Sequence, residues 1–369
     1  DMKKKNLCKT LLKTMCIVLG ILILALLAYI VYLYASYYRI EDNQELVVEA
    51  PVDDTTTGAA AVLATDTEYS AVTYNIGFGA YLPDYSFFMD GGTSSWAESP
   101  ETVQYAINGA GELVKSLDPD FALIQEIDLD ATRSYHTDEY EMLRNILPEY
   151  TTVFAQNYDS AFLFYPFTQP HGSSRAGLGL FSKYPVSSAL RRSFPISTSF
   201  SKFFDLDRCY SVSRIPVDNG KELVIFNLHM SAYGNSDEIR KGQIEMLCND
   251  MAKEYEAGNY VLCGGDFNHD LKASEEDAEN CESWAFPFPR TELPEHFAFC
   301  LDLLSSEEKE ALWNSARNAD MEYVPGVTYT VTLDGFIISD NIECLSYENI
   351  NTGYSYSDHD PVKVEFVLK

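Results

Sequence analysis

Basic residues are scarce in this chain. Only 26 lysines and arginines face 56 aspartates and glutamates over 369 residues, a formal charge of −30. Six of the bases, Lys3, Lys4, Lys5, Lys9, Lys13 and Arg39, flank one apolar segment, which leaves 20 basic against 55 acidic residues from residue 40 onward. Such a surface repels polyanions at long range, and it carries no run of bases of the kind a DNA-tracking protein needs. A grip on nucleic acid would fall to a local patch around Arg133, Arg175, Arg191, Arg192 and Arg208. Cysteines give no metal-ligand spacing: Cys209, Cys248, Cys263, Cys281, Cys300 and Cys344 are scattered. Most fall in strand or helix patterns, where buried thiols are expected, and Cys281 with Cys300 is the favoured local pair for a disulfide.

Charge is absent altogether from Thr14 to Tyr38. That stretch is long enough to cross a hydrocarbon core of about 30 Å as a helix. Lysines before it and acids after it predict a cytoplasmic N-terminus, with everything beyond residue 40 outside. No small-x-small cleavage site precedes the aromatic cluster from Tyr29 to Tyr38, so an uncleaved signal anchor is favoured over a cleaved signal peptide. The expected organisation is a basic cytoplasmic tail (1–14), a transmembrane anchor (15–38), a stalk or edge strand (39–67) and one catalytic domain (68–369). This makes a single-pass protein of the cell membrane with an extracellular domain.

Within that domain, apolar strand-like runs end repeatedly in polar residues. Ala71 to Ile76 delivers Asn75, Phe121 to Gln125 delivers Glu126, and Leu223 to Leu228 delivers His229. Tyr260 to Cys263 leads into Gly264-Gly-Asp-Phe-Asn-His269. Asp334 stands before Phe336 to Ser339, and Ser357-Asp-His-Asp-Pro361 sets an imidazole between two carboxylates ahead of the alternating run Val362 to Leu368. Apolar residues at helical spacing predict helices over 101–117, 140–147 and 238–255. Further strands are expected at 151–155, 161–165, 177–182 and 209–217, the last turning at Asp218-Asn-Gly220. Val327 to Thr332 completes the expected strands. Strand and helix alternating, with acids and amides at strand ends, is an α/β arrangement whose ligands bind at the strands' carboxyl ends. Taken one at a time these residues have plainer readings: Asn75 caps a turn, Glu126 faces solvent, His229 is a bonded core imidazole. Residues 271–326 are the least regular tract and the expected place for shaping a substrate, with Trp284, Phe286 and Phe288 either stacking on a base or sugar or filling a satellite core.

Together the motifs Thr73-Tyr-Asn-Ile, Ile124-Gln-Glu-Ile-Asp, Phe226-Asn-Leu-His, Gly264-Gly-Asp-Phe-Asn, Leu333-Asp-Gly-Phe-Ile and Ser357-Asp-His-Asp-Pro-Val occur in one order. In that order the chain resembles the endonuclease/exonuclease/phosphatase superfamily over residues 68 to 368. The resemblance implies a four-layer α/β sandwich of two packed, mostly antiparallel sheets, in place of a doubly wound sheet. It implies divalent-metal phosphoester hydrolysis, with Glu126 holding magnesium or manganese beside Asn75 and Asp358. His359, oriented by Asp334, would activate water; Asp266 and Asn268 would position the nucleophile and phosphoryl oxygens; His229 would sit across the phosphate. Arg133, Arg175 and His269 are candidate substrate contacts. Gly335 departs from the aromatic many members carry there. Anchor and acidity favour a phosphorylated small molecule or lipid head group over nucleic acid, and an extracellular nuclease is the alternative. A catalytically inactive binding member fits less well, because both histidines are kept with their carboxylates.

Overall fold

The computed structural model describes residues 2–53, 62–203, 205–232, 237–274 and 284–369. The chain divides into two units, Asp1–Arg39 and Ile40–Lys369. The first is the helix α1 (Met2–Ser36), whose portion Asn6–Ser36 is long and apolar enough to cross a membrane.

The second unit opens with the short strands β1 (Gln44–Glu45) and β2 (Val48–Glu49), so the stretch read as a stalk or edge strand contributes an edge strand to each sheet. There follow β3 (Glu68–Asn75), α2 (Pro100–Leu117), β4 (Phe121–Ala131), α3 (Glu139–Ile146), β5 (Thr151–Asp159), β6 (Ser174–Ser182) and β7 (Ser188–Ser193). Next come β8 (Cys209–Pro216), β9 (Glu222–His229), α4 (Asp237–Glu256), β10 (Tyr260–Asp266), β11 (Phe297–Phe299) and α5 (Ser306–Ala311). The chain finishes with β12 (Ala316–Arg317), β13 (Thr330–Val331), β14 (Asp334–Ser339), β15 (Ile342–Asn349) and β16 (Val362–Leu368).

Two seven-stranded sheets result, ordered β1-β7-β8-β9-β10-β14-β11 and β15-β16-β3-β4-β6-β5-β2. Their facing sides share one apolar core in which Leu123, Leu180, Phe226, Leu262, Phe336 and Phe366 are buried. Helices cover the outer sides. Val103, Ile107, Ala110 and Val114 of α2, spaced three or four apart, pack against Ala122 and Ile124 of β4. Ile244, Leu247 and Met251 of α4 join the other core. Helix α2 starts where Ser99 accepts the Thr102 N–H at 3.1 Å with Pro100 next, and stops at Asp118 in the left-handed region before Pro119. The expected sandwich is therefore the observed one.

Each sheet is antiparallel except at one central pair: β3 with β4, and β9 with β10. Both parallel pairs end at the same place in the molecule, because Gln125 of β4 donates across the sandwich to Asn227 of β9 (2.8 Å) and also contacts Thr73 of β3 (3.2 Å). Both amides are fully buried, and Asn227 Nδ2 in turn donates to the Gly179 carbonyl of β6 at 3.0 Å, so the pair fixes how the two sheets register. Gly265, at φ +145°, permits the close β9–β10 approach: a Cβ there would stand 2.1 Å from the Leu228 carbonyl oxygen.

Some expectations are corrected. Residues 161–165 form no strand, although their apolar run resembles one; β5 instead continues to Asp159 and a loop follows. The 327–332 run shrinks to β13. Strand β7 was hidden by its two arginines, and β15 by its half-exposed, acidic face. Cys209, Cys248, Cys263 and Cys300 are buried free thiols, and Cys281 lies outside the described residues.

Arg191 of β7 is 1% exposed and has no carboxylate partner among the described residues; its guanidinium donates instead to four backbone carbonyls, those of Gln156 (2.7 Å), Asp207 (2.9 Å), Glu41 (3.1 Å) and Ile40 (3.5 Å), and to the Ser193 hydroxyl. It thereby stitches residues 40–41 and the 207 segment to β5 in the opposite sheet. Arg191→Ala should lower unfolding free energy in denaturant by about 3 kcal/mol, since several buried acceptors lose their donor at once. Arg191→Lys should recover little of this, because one ammonium cannot span the same acceptors.

Candidate active site

The carboxyl ends of the parallel pairs open into a cleft of about 600 Å³. Register places Asn75 opposite Gln125, and Asp266 opposite both His229 and Asp334, so four strand ends deliver polar side chains to one spot. Glu126 reaches it through a β-bulge: the pairing of β4 with β6 slips between Ile124 and Ile127, and Glu126 takes φ +55°. A non-glycine residue in that conformation is strained, and the bulge re-aims its side chain out of the sheet and into the cleft. Asn268, at φ +50°, is held likewise in the turn after β10.

Hydrogen bonds join these residues into one network. Asn75 Nδ2 donates to Glu126 Oε1 and to Asp266 Oδ2, both at 3.1 Å, while its Oδ1 accepts the Gly77 N–H at 3.0 Å. Asp266 Oδ1 accepts the Asn268 N–H at 2.8 Å, and Asn268 Nδ2 donates to the Met230 carbonyl at 3.0 Å. His359 Nδ1 stands 2.7 Å from Asp334 Oδ2, which leaves Nε2 facing the cleft 3.9 Å from Asp266. His229 Nε2 lies 3.5 Å from Asp266 Oδ2 and 3.8 Å from Glu126 Oε1. Asp358 lines the same cleft and accepts from the Ser357 hydroxyl at 3.2 Å, whereas Asp360 turns away to Trp313 Nε1 (2.8 Å) and Thr352.

The electrostatics are lopsided. Glu126, Asp266, Asp334 and Asp358 converge with no lysine or arginine within ion-pair distance among the described residues. Burial, then Asp358, raises the pKa of Glu126; burial raises that of Asp358; burial, with Asp334 adding to it, raises Asp266 to about 7. The two histidines are pushed apart. Burial, helped by the charges of Arg208 and His359, keeps His229 well below the usual imidazole range. Burial opposes charge on His359 too, but Asp334, Asp266 and Asp358 outweigh it and raise its pKa well above that range. Two imidazoles so separated suit different protonation roles.

A crowd of buried oxygen donors short of positive charge fits a hard divalent cation, and one oxygen of Asp334 has no hydrogen-bond partner at all. Asp266, Asp334 and His359 offer ligand atoms within 4.8 Å of one another. In that trio His359 Nδ1 and the Ser315 hydroxyl occupy Asp334 Oδ2, and Asn75 and the Asn268 N–H engage the two oxygens of Asp266, so Glu126 and Asp358 are the freer carboxylates.

The other candidates are placed differently. Arg133 lines the cleft, but its guanidinium is held by Asp128 (2.8 and 3.1 Å) and lies 3.7 Å from the Phe78 ring centroid. Arg175 is exposed beside Asp130, at 3.5 Å, outside the cleft lining. His269 is also outside it: Nδ1 bonds the Phe267 carbonyl at 2.6 Å, the ring packs on Phe288, and burial holds its pKa down to about 4. Gly335 has its explanation here, since a Cβ would meet Leu271 at 2.8 Å and the Tyr347 hydroxyl at 3.3 Å; these side chains fill the space. Trp284 lines the cleft and packs on a satellite cluster with Leu333, while Phe288 is core.

Two contributors escaped the sequence reading. Ser315 donates to Asp334 Oδ2 at 2.7 Å and accepts the N–H groups of Leu333 and Asp334, fixing the carboxylate that holds His359. It lies in the least patterned tract and carries no local signal. Asn157, 2% exposed, lines the cleft with its amide nitrogen unpartnered. Arg208, read from sequence only as part of a basic patch, is 8% exposed and lines the cleft with Nε and Nη1 both lacking partners.

Comparison with known proteins follows this geometry. The endonuclease/exonuclease/phosphatase family model matches residues 72–303. No curated protein matches the chain. Among solved structures, the endonuclease/exonuclease/phosphatase from Bacteroides vulgatus superposes with TM-score 0.53 at 17% identity, covering 82% of this chain and 100% of that one. ANGEL2, a 2′,3′-cyclic phosphatase in complex with adenosine-2′,3′-vanadate, gives 0.56 at 12% identity, covering 82% and 96%. D. rerio TDP2, complexed with a single-strand DNA product, gives 0.54 at 14%, covering 82% and 99%. These likenesses are of fold, and the family match spans well over half of the sequence: the chain belongs to the endonuclease/exonuclease/phosphatase family.

Proposed function

We propose that the protein is a divalent-metal-dependent phosphoester hydrolase in which His359 is the base that takes a proton from the attacking water. The observation that carries this reading is the His359–Asp334 contact of 2.7 Å, with Nε2 turned to the cleft. Asp334 fixes the tautomer and ring plane, and Ser315 fixes Asp334. Glu126 and Asp358 would hold magnesium or manganese, with Asn75 orienting Glu126 and Asp266 alongside. When bound, such a cation offsets charge on the phosphate oxygens and, by neutralising the carboxylates, returns His359 towards its neutral form. Asp266 and Asn268 position the water and phosphoryl oxygens. His229, held neutral by its surroundings, donates or accepts one hydrogen bond across the phosphate.

Arg208 and Asn157 supply unpartnered donors in the same cleft and are the groups we assign to a phosphate oxygen of the substrate. The rest of the surface is strongly acidic, which favours a phosphorylated small molecule or lipid head group over a long polyanion. A nuclease is the second reading, favoured by the fold likeness to D. rerio TDP2 with its single-strand DNA product. The apolar helix would anchor the chain with residues 1–14 in the cytoplasm and the hydrolase outside.

His359→Ala should lower kcat by about a thousandfold or more, and Asp334→Asn by about a hundredfold, each with the melting temperature little changed. A panel of phosphomonoesters, phosphodiesters, lipid head groups and DNA measures this; a His359→Ala rate equal to wild type would remove the proposed base. Chelation should abolish turnover, and magnesium or manganese restore it. Arg208→Ala should raise KM about tenfold or more with kcat nearly kept, the signature of lost ground-state binding to an anion. Deleting residues 15–36 should abolish surface display of the hydrolase in protease-accessibility assays on intact cells.

A further inference from the structure

Between β5 and β6 the chain runs from Ser160 to Ser174 without one charged residue, and it carries Phe162, Phe164, Tyr165 and Phe167. Three of these rings face water: Phe167 is 86% exposed, Tyr165 62% and Phe164 50%. The loop is nevertheless firmly closed at its base. Leu163 and Gly172 exchange backbone hydrogen bonds at 2.9 and 3.0 Å, Trp96 Nε1 donates to the Pro170 carbonyl at 2.7 Å, and the Ser95 hydroxyl donates to the Gln169 carbonyl at 2.5 Å. An aromatic tip held outward on a pinned base is a built feature of the surface, and contiguous exposed apolar patches mark interaction sites.

The tip stands at the mouth of the cleft. Tyr165 packs on Phe88 with ring centroids 5.9 Å apart, and Phe88 packs on His171 at 6.0 Å. His171 and Met89 line the cleft, and Met89, 53% exposed, extends the apolar rim.

The point where the chain enters the catalytic unit is tied to the wall of the same cleft. Arg191 ties the carbonyls of Ile40 and Glu41 to those of Gln156 and Asp207, and the residues next to these, Asn157 and Arg208, line the cleft. Only Tyr37, Tyr38 and Arg39 separate the end of α1 from Ile40, a reach of about 10 Å when extended. A membrane-spanning α1 would therefore keep the catalytic unit tethered within reach of the lipid surface. Aromatic side chains are the ones that settle at the membrane–water boundary, and the missing charge removes the main cost of contact. The acidic surface elsewhere disfavours anionic lipid, so the fitting surface is a zwitterionic one.

We propose that the tip from Phe164 to Phe167 is a bilayer contact that seats the mouth of the cleft on a zwitterionic lipid surface, and that the cleft takes its phosphoester from a membrane phospholipid. The second half rests on the hydrolase reading above; the first does not. The test uses the full chain reconstituted in phosphatidylcholine vesicles. In Phe167→Trp, the fluorescence added over wild type should fall by about half or more when the lipid is brominated near its head group, as burial at the interface requires. Fluorescence that is unquenched by bromolipid but fully open to aqueous iodide would overturn the contact and leave a protein partner as the occupant of the tip. Separately, Tyr165→Ser with Phe167→Ser should slow phosphatidylcholine hydrolysis by about tenfold while leaving bis(4-nitrophenyl) phosphate hydrolysis unchanged. Equal rates for variant and wild type on both substrates would overturn the lipid substrate. Bromolipid quenching in a chain that hydrolyses neither compound would uphold the contact and defeat the hydrolase reading instead.

Discussion

Four carboxylates gathered around one cleft, Asp266 and Asp334 buried and Glu126 and Asp358 half-buried, with no lysine or arginine paired to them among the described residues, are the condition to which the rest of the domain answers. Left alone, such charges would protonate, repel or draw in water. Neutral donors and imidazoles hold them instead: Asn75 between Glu126 and Asp266, Ser315 on Asp334, Ser357 on Asp358, and the two histidines above. Left-handed backbone at Glu126 and Asn268 adds local strain in the same place. Such an arrangement persists because the Gln125–Asn227 contact beneath it locks the sheets together, so the strand ends cannot spread to relieve the charge. The deficit of positive charge is thereby kept available for the cation proposed above.

Much of this was legible in sequence because parallel central strands deliver their polar ends by a local rule. Asn75, Glu126, His229 and Asp266 each follow an apolar run, and Asp334 and His359 each precede one. Their convergence needed no knowledge of long-range contacts beyond the fold class. The unreadable parts are those whose partners are distant. Ser315 is defined by Asp334, and Arg191 by four carbonyls drawn from β5 and from two segments outside the sheets; neither has a local pattern. A buried arginine also spoils the alternation by which a strand such as β7 is recognised. Residues 161–165 failed in the opposite sense: their apolar run looked like a strand because its rings, in the structure, face water.

An acidic surface and the proposed anion site coexist here through distance. The surface field is negative, yet Arg133, Arg208 and Arg317 line the cleft. Two of these are largely committed, Arg133 to Asp128 and Arg317 to the carbonyls of Leu82 and Asn318, so that besides Arg317 Nε the uncommitted donors are Nε and Nη1 of Arg208. Attraction thus acts over a few ångströms and repulsion over many, a combination that suits a ligand with one phosphate and little charge beyond it.

Strand β16 enters sheet two between β15 and β3, and Val362 pairs with Thr73. His359 sits only three residues ahead of that strand. During synthesis, then, β3 emerges long before the neighbour that completes its sheet, and Asn75 must wait for His359 at the far end of the chain. An amino-terminal fragment that ends before His359 lacks one member of the Asp334–His359 pair. The candidate site closes like a clasp, fastened by the last stretch of chain to leave the ribosome.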